Sequence, residues 1–333
     1  MVKNKHILMR TIKLGLVVAA SYVRPMAALT LAPVPCGSLA CQKDTYLKSL
    51  TATVVSCELA PPTADAAKGK KKKGKQAPAA AVYEVVLSDT VLFPEGGGQP
   101  SDTGTVGGAA ATRVDNVGGV AVHSLSAPLE VGAAVRVELD WGRRWDHACQ
   151  HSAQHLITAR AAAMNGSPTL SWSLAADGAC SLELGLPFDA AADLAPLEAD
   201  VNEAILADHA VSAEWHSVAD VNGNRVPGLR PSSKALPDHV TGPIRVVRMD
   251  GVDVNPCCGT HVTSTAHLRG VKFVRAERKK ASTLVSFAAG SVGINHWEDG
   301  RPGISSNPSI LLKSNSFPMI LEPLILASRV LDD

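Results

Sequence analysis

The sequence predicts an α+β protein, with a β-rich stretch leading into helices packed on an antiparallel sheet. Three observations carry this. From Lys43 to about Leu139, β-branched runs alternate with Gly and Pro turns. At Trp141 the apolar period changes to a helical one. Beyond that helix, short strand-like runs return around a second helix. A chain of 333 residues that is 46% hydrophobic has ample material for the cores this requires.

In the β-rich stretch, Thr51–Ser56, Val82–Leu87, Thr112–Val117, Val120–Ser124 and Val135–Leu139 read as strands. Between the first two, Ala60 to Ala81 is low-complexity, with Lys68, Lys70 to Lys73 and Lys75 among Ala, Pro and Gly. It reads as a disordered hairpin insertion. Arg143 to Met164 reads as a helix stopped by Asn165-Gly166, a left-handed cap. A hairpin near 169–185 follows, then a helix from about Asp193 to Asp208. Further strands are expected near Val211–Ser217, Ile244–Met249, Val271–Arg275 and Leu284–Phe287. After Gly290 the pattern dissolves, and 291–333 has no assignable fold.

Composition excludes several classes. A net charge of +1 provides no global basic field, so any nucleic-acid contact must come from local patches. Seven cysteines, an odd number at irregular spacing in a long chain, argue for reduced thiols in a cytosol-like compartment. Residues 1–43 lack Asp and Glu but carry Lys3, Lys5, Arg10, Lys13 and Arg24 around the apolar run Leu14–Val23. This pattern is that of a mitochondrial transit peptide or weak secretory signal, or of an upstream extension with Met26 as the working start. The run is too short to span a bilayer. The expectation is cytoplasmic, or mitochondrial if residues 1–25 are a transit segment, with no membrane partner.

The chemistry lies in two short segments about a hundred residues apart, His151-Ser-Ala-Gln-His155 and Cys257-Cys-Gly-Thr-His261. Positions i and i+4 of a helix share a face, so His151 and His155 can chelate one ion. Three imidazoles and a thiolate suit zinc. Spacing leaves His147, one turn earlier, and Cys258 open as alternatives. A zinc protease fits poorly, because Ser152 stands where its helix would need Glu. The loop Phe93-Pro-Glu-Gly-Gly-Gly-Gln-Pro-Ser-Asp-Thr-Gly104 lets backbone approach another surface closely, but it lacks the Lys-Ser/Thr ending of a phosphate-binding loop.

In order and spacing, this loop, Trp145-Asp-His-Ala-Cys-Gln-His-Ser-Ala-Gln-His-Leu156 and the segment Gly242 to Val262 ending in Cys-Cys-Gly-Thr-His-Val resemble the stand-alone alanyl-tRNA editing proteins, from about Cys41 to Gly290. The resemblance implies a β-barrel domain over 41–140, carrying the insertion 60–81. It implies next a zinc-binding editing domain over 141–290, the second additional domain of threonyl- and alanyl-tRNA synthetases. Residues 1–40 are then an extension and 291–333 an atypical tail.

The implied zinc ligands are His151, His155, Cys257 and His261. The implied activity is trans-editing: hydrolysis of mischarged Ser-tRNA(Ala), with Gly-tRNA(Ala) as a second candidate. The partner is mischarged alanine tRNA, and no ATP site is expected. No catalytic side chain is assigned; a water activated by the zinc is expected to attack. Substrate-binding residues are expected at Gly96, Gly97, Gly98 and Gln99, and at Thr169 and Ser171 beside Trp172. The competing expectation is a zinc-stabilised tRNA- or protein-binding module without catalysis. The oligomeric state is left open.

Overall fold

The computed structural model describes residues 32–61, 81–174, 180–230 and 242–290. The expected extension up to residue 31, most of the Lys-rich insertion and the tail after Gly290 lie outside the described residues.

The fold is α+β, beginning with a closed six-stranded barrel. A strap containing the short helix α1 (Ala40–Lys43) leads into β1 (Ser49–Leu59). The other barrel strands are β2 (Tyr83–Leu87), β3 (Gly104–Val106), β4 (Ala109–Val117), β5 (Val120–Leu125) and β6 (Ala134–Leu139), closing in the order β1-β2-β5-β4-β3-β6. Closure removes the unpaired edges of an open sheet. Period-2 burial is clearest in β5, where Ala121, His123 and Leu125 point inward. They join Val54, Val85, Phe93, Val114 and Val137 in the barrel core. His123 is satisfied there: its Nδ1–H donates to the Val85 carbonyl (3.0 Å), and Nε2 accepts from the Thr90 hydroxyl (2.9 Å).

The long helix α2 (Trp141–Asn165) follows directly. Asp140 caps its N-terminus by accepting from the Arg143 N–H, and Gly166 ends it with φ 71° in the left-handed region. It runs two residues earlier than periodicity suggests, because the cap rather than the apolar stripe sets its start. From His147 to Ala159 every residue is buried, as a central helix covered on all sides requires.

Around it lie β7 (Thr169–Ser173), β8 (Cys180–Leu184), α3 (Ala195–Leu206), β9 (Val211–His216), α4 (Val218–Asn222), β10 (Ile244–Met249), β11 (Asp253–Pro256), β12 (Val271–Arg278) and β13 (Thr283–Ala289). They form a four-stranded sheet, β12-β13-β8-β7, and a three-stranded sheet, β11-β10-β9. One apolar core joins α2 and α3 to these strands through Leu156, Ile157, Leu182, Val201, Phe273 and Phe287. The second helix is shorter than the expected Asp193–Asp208 because Ala190–Leu194 forms a single π-turn before it.

A buried ion pair locks α2 to the barrel. Arg144 and Asp102 are fully buried, and the guanidinium pairs with the Asp102 carboxylate. Its Nε–H donates to Asp102 Oδ2 (3.0 Å), and Nη1 donates to the Thr45 carbonyl (2.9 Å). Asp102 also accepts from the Phe93 N–H (2.7 Å). The Asp of the glycine-rich loop thus fixes the helix that carries two candidate ligands.

Candidate metal centre

Two elements bring the ligand types together. The middle of α2 presents His151 and His155, and the turn after β11 presents Cys257 and His261. One ligand atom from each of the four lies within 4.8 Å of all the others. His151 Nε2 and His261 Nε2 are 3.4 and 3.3 Å from Cys257 Sγ. The bend has no room for a side chain: a Cβ at Gly259 would lie 2.1 Å from the His151 ring.

What holds the outer nitrogens decides the chemistry. Gln99 Oε1 accepts from the Thr260 N–H (3.0 Å), so that atom is the oxygen, and His151 Nδ1, 2.8 Å away, carries the proton. The Asp253 carboxylate accepts from His155 Nδ1–H (3.2 Å). Both rings therefore spend Nδ1 on an outer partner and leave Nε2 facing inward, the nitrogen a metal would take in place of a proton. Ser152 Oγ lies 3.0 Å from His261 Nδ1 and also accepts from the Val262 N–H (3.1 Å). Arg230 braces Asp253 from behind (3.2 Å).

The electrostatics favour a thiolate at one cysteine only. Burial would raise the Cys257 thiol, but the imidazoles of His151, His261 and His155 reverse this and hold it well below its ordinary value. Its neighbour Cys258 is pushed up to about 12, first by burial and then by the charge on Cys257. Burial lowers His155 too, yet Cys257 and Asp253 outweigh it and raise that ring to about 9. Burial lowers His151, and it takes His261 down to about 3 against the pull of Cys257. His147 lies outside the cluster; it is buried, lowered to about 4, and has no hydrogen-bond partner among the described residues. Three imidazole nitrogens and one thiolate at this separation fit a tetrahedral zinc ion, and the occupied outer nitrogens complete that fit.

The cluster opens onto a cavity of about 630 Å³ lined by His155, Cys257, Gln154, Thr158, Thr169, Trp172, Arg230 and Gly97. Thr169 Oγ1 is hydrogen-bonded to Thr158 Oγ1 (2.9 Å), which also accepts from Gln154 Nε2–H (2.9 Å). Ser171 is absent from this lining. The β7–β8 register shifts between Thr169 and Ser171, so Trp172 takes the inward place and the Ser171 hydroxyl donates to Glu183 (3.1 Å).

In the glycine loop, Gly97 lines the large cavity and Gly96 a smaller one. Gly98, at φ 78°, packs so closely on Trp172 that a Cβ would lie 2.7 Å from its ring. Gln99 is fully buried, with both ends of its amide used on His151 and Thr260. Its observed role is to hold a ligand. Sequence reasoning missed Asp253, the strap residues Gln42 and Thr45, and the bracing role of Ser152. Gln42 Nε2–H donates to the Cys258 carbonyl (2.9 Å), and Thr45 Oγ1 accepts from the His261 N–H (3.3 Å). Only the position of Ser152, directly after His151, offered a signal.

The profile of the threonyl and alanyl tRNA synthetase second additional domain matches residues 244–284, a span that includes Cys257 and His261. The alanyl-tRNA editing protein Aarsd1 of Danio rerio is 40% identical over 277 residues, 83% of this chain and 64% of that protein. Aarsd1 of Mus musculus is 40% identical over 274 residues, 82% of this chain and 63% of the relative. This chain is a homologue of the alanyl-tRNA editing proteins. A putative alanyl-tRNA editing protein of Saccharomyces cerevisiae, alaX, is 30% identical over 275 residues, covering 72% of this chain and 55% of its own length. The chain thus spans 64% and 63% of the two Aarsd1 relatives and 55% of the yeast one. Among the described residues, no helix is long and apolar enough to cross a membrane.

Proposed function

We propose that this chain is a zinc-dependent trans-editing hydrolase that deacylates mischarged Ser-tRNA(Ala), with Gly-tRNA(Ala) as a second substrate. The observation that carries the reading is the convergence of His151, His155, Cys257 and His261 at the mouth of a cavity, in a homologue of alanyl-tRNA editing proteins. Zinc held there would supply Lewis-acid polarisation or positioning of the ester carbonyl. An aminoacyl ester is already reactive, so the protein has no need of a side-chain nucleophile.

What the chain's own residues do is hold and select. Gln99 and Asp253 keep two imidazoles in the inward-facing tautomer. Trp172 packs against His151 at a centroid distance of 4.9 Å and screens that side of the cluster from water. The linked Gln154, Thr158 and Thr169 form a polar wall on the cavity. A wall of this kind distinguishes serine from alanine by its hydroxyl, because polar matching discriminates better than volume. A cytoplasmic site of action belongs to the same reading, supported by seven cysteines that form no disulfide among the described residues.

The test is ester loss from Ser-tRNA(Ala) incubated with the purified chain, beside Ala-tRNA(Ala). Loss of the seryl ester at the spontaneous rate would sink the proposal. Loss of both esters alike would remove the selectivity. One observation favours a second reading, a zinc-stabilised binding module: four protein ligands close a tetrahedral site. That reading expects Cys257→Ala to unfold the chain with deacylation absent throughout. A folded variant that loses only deacylation supports the enzyme.

A further inference from the structure

Arg245 on β10 is 6% exposed, and no carboxylate pairs with it among the described residues. Its Nε–H donates to the Gln42 carbonyl (2.9 Å), and Nη1 donates to the carbonyls of Cys257 (2.9 Å) and Gly259 (2.8 Å). Nη2 makes no hydrogen bond among the described residues. A buried guanidinium thus ties down the ligand turn while two of its five N–H groups remain unused.

Arg245 lines a second cavity of about 280 Å³, together with Gly96, Asn116, Ile244, Cys257 and Cys258. The larger cavity is lined by the same Cys257 and Cys258, so the ligand turn is a wall common to both. The one carboxylate lining the smaller cavity among the described residues, Glu95, is paired with Arg113 at 3.1 Å. No carboxylate neutralises this buried cation among the described residues, and a guanidinium edge matches the oxygens of a phosphate.

We propose that the smaller cavity is a phosphate subsite, in which Arg245 Nη2 donates to a phosphodiester oxygen near the 3′ end of an RNA whose terminal ester lies in the larger cavity. The inference rests on the reading of the substrate as an aminoacyl-tRNA. A strand anchored by its last phosphodiester on one side of the Cys257–Cys258 wall presents its terminal ribose to the other side. Gly96 and Gly97 lie one in each cavity, so the glycine loop, like the ligand turn, borders both.

The test is equilibrium binding of two uncharged ligands to the zinc-loaded full chain: adenosine, and cytidylyl-(3′→5′)-adenosine, which adds one phosphodiester. The dinucleotide is expected to bind about tenfold more tightly, the effect of one hydrogen bond to a charged group. Inorganic phosphate should compete with the dinucleotide and not with adenosine. Arg245→Lys should shrink the gap to within about threefold, since an ammonium cannot reproduce the fork. Because Arg245 also braces the ligand turn, a second variant, Asn116→Tyr, fills the cavity from β4 and should shrink the gap equally with the Arg245 contacts intact. Equal or undetectable binding of the two ligands by the parent overturns the proposal. So does a gap that survives both variants, which would leave Arg245 as a brace only. Binding is read without hydrolysis, so failure here is distinct from failure to deacylate Ser-tRNA(Ala).

Discussion

Gln99 shows how one uncharged side chain sets the state of a candidate metal ligand. Its oxygen accepts from the Thr260 N–H, which obliges the His151 Nδ1 to be the donor and leaves Nε2 facing Cys257. Gln99→Leu removes that constraint at similar volume. Loss of an outer partner of this kind costs about 10–100-fold in metal affinity. A chelator competition should therefore show zinc held 10–100-fold more weakly, and unchanged affinity would mean that the ring is oriented by packing alone. At this scale the sequence was half readable. Spacing exposed the ligand types, and electrostatics separates Cys257 from Cys258, because only Cys257 faces three imidazoles. Asp253 and Gln99 were not recognisable as partners, since each is joined to its histidine by folding and not by sequence distance.

Among the elements, the glycine loop and α2 act as one device. Gly98 lies in the left-handed region against Trp172, and Arg144 at the start of α2 reaches into the loop's Asp102. Gly98→Ala should lower stability by about 1–3 kcal/mol in urea unfolding, through strain at positive φ and overlap with the indole ring. A cost below half that range would mean the loop shifts freely. Arg144→Met should cost about 3–5 kcal/mol, because it leaves the Asp102 charge buried and unpaired. Adding Asp102→Leu should recover much of the loss; if it recovers none, the pair is not the source. Helix α2 was legible because its apolar run and Asn165-Gly166 both speak locally. The strand β3 was not, since three residues hold too little pattern, and β11 was hidden because it closes a hairpin through Asp250-Gly251.

At the scale of the whole molecule, the α+β class follows from the apolar runs and their change of period. Barrel closure does not, because no local signal states that β1 pairs with both β2 and β6. The barrel also predicts a pH dependence through His123. Burial lowers this imidazole to about 4, against about 6.5 for an unfolded histidine. Its neutral form is therefore favoured in the fold, and the contribution is complete above about pH 6.5. As pH falls from 6.5 towards 4, the unfolded chain takes up a proton that the folded chain refuses, and stability drops by up to about 1.4 kcal/mol per pH unit. His123→Gln should flatten that slope by about one proton; an unchanged slope would assign it to other groups.

The central claim is that the four-residue cluster holds the zinc on which ester hydrolysis depends. It is tested most directly by the initial rate of seryl release from Ser-tRNA(Ala), measured as the metal-stripped chain is reloaded with zinc and bound metal is counted. The rate should rise in proportion to zinc and level off at one ion per chain, and Cys257→Ser should lower both zinc occupancy and rate. Full deacylation by the metal-stripped, folded chain would contradict the account.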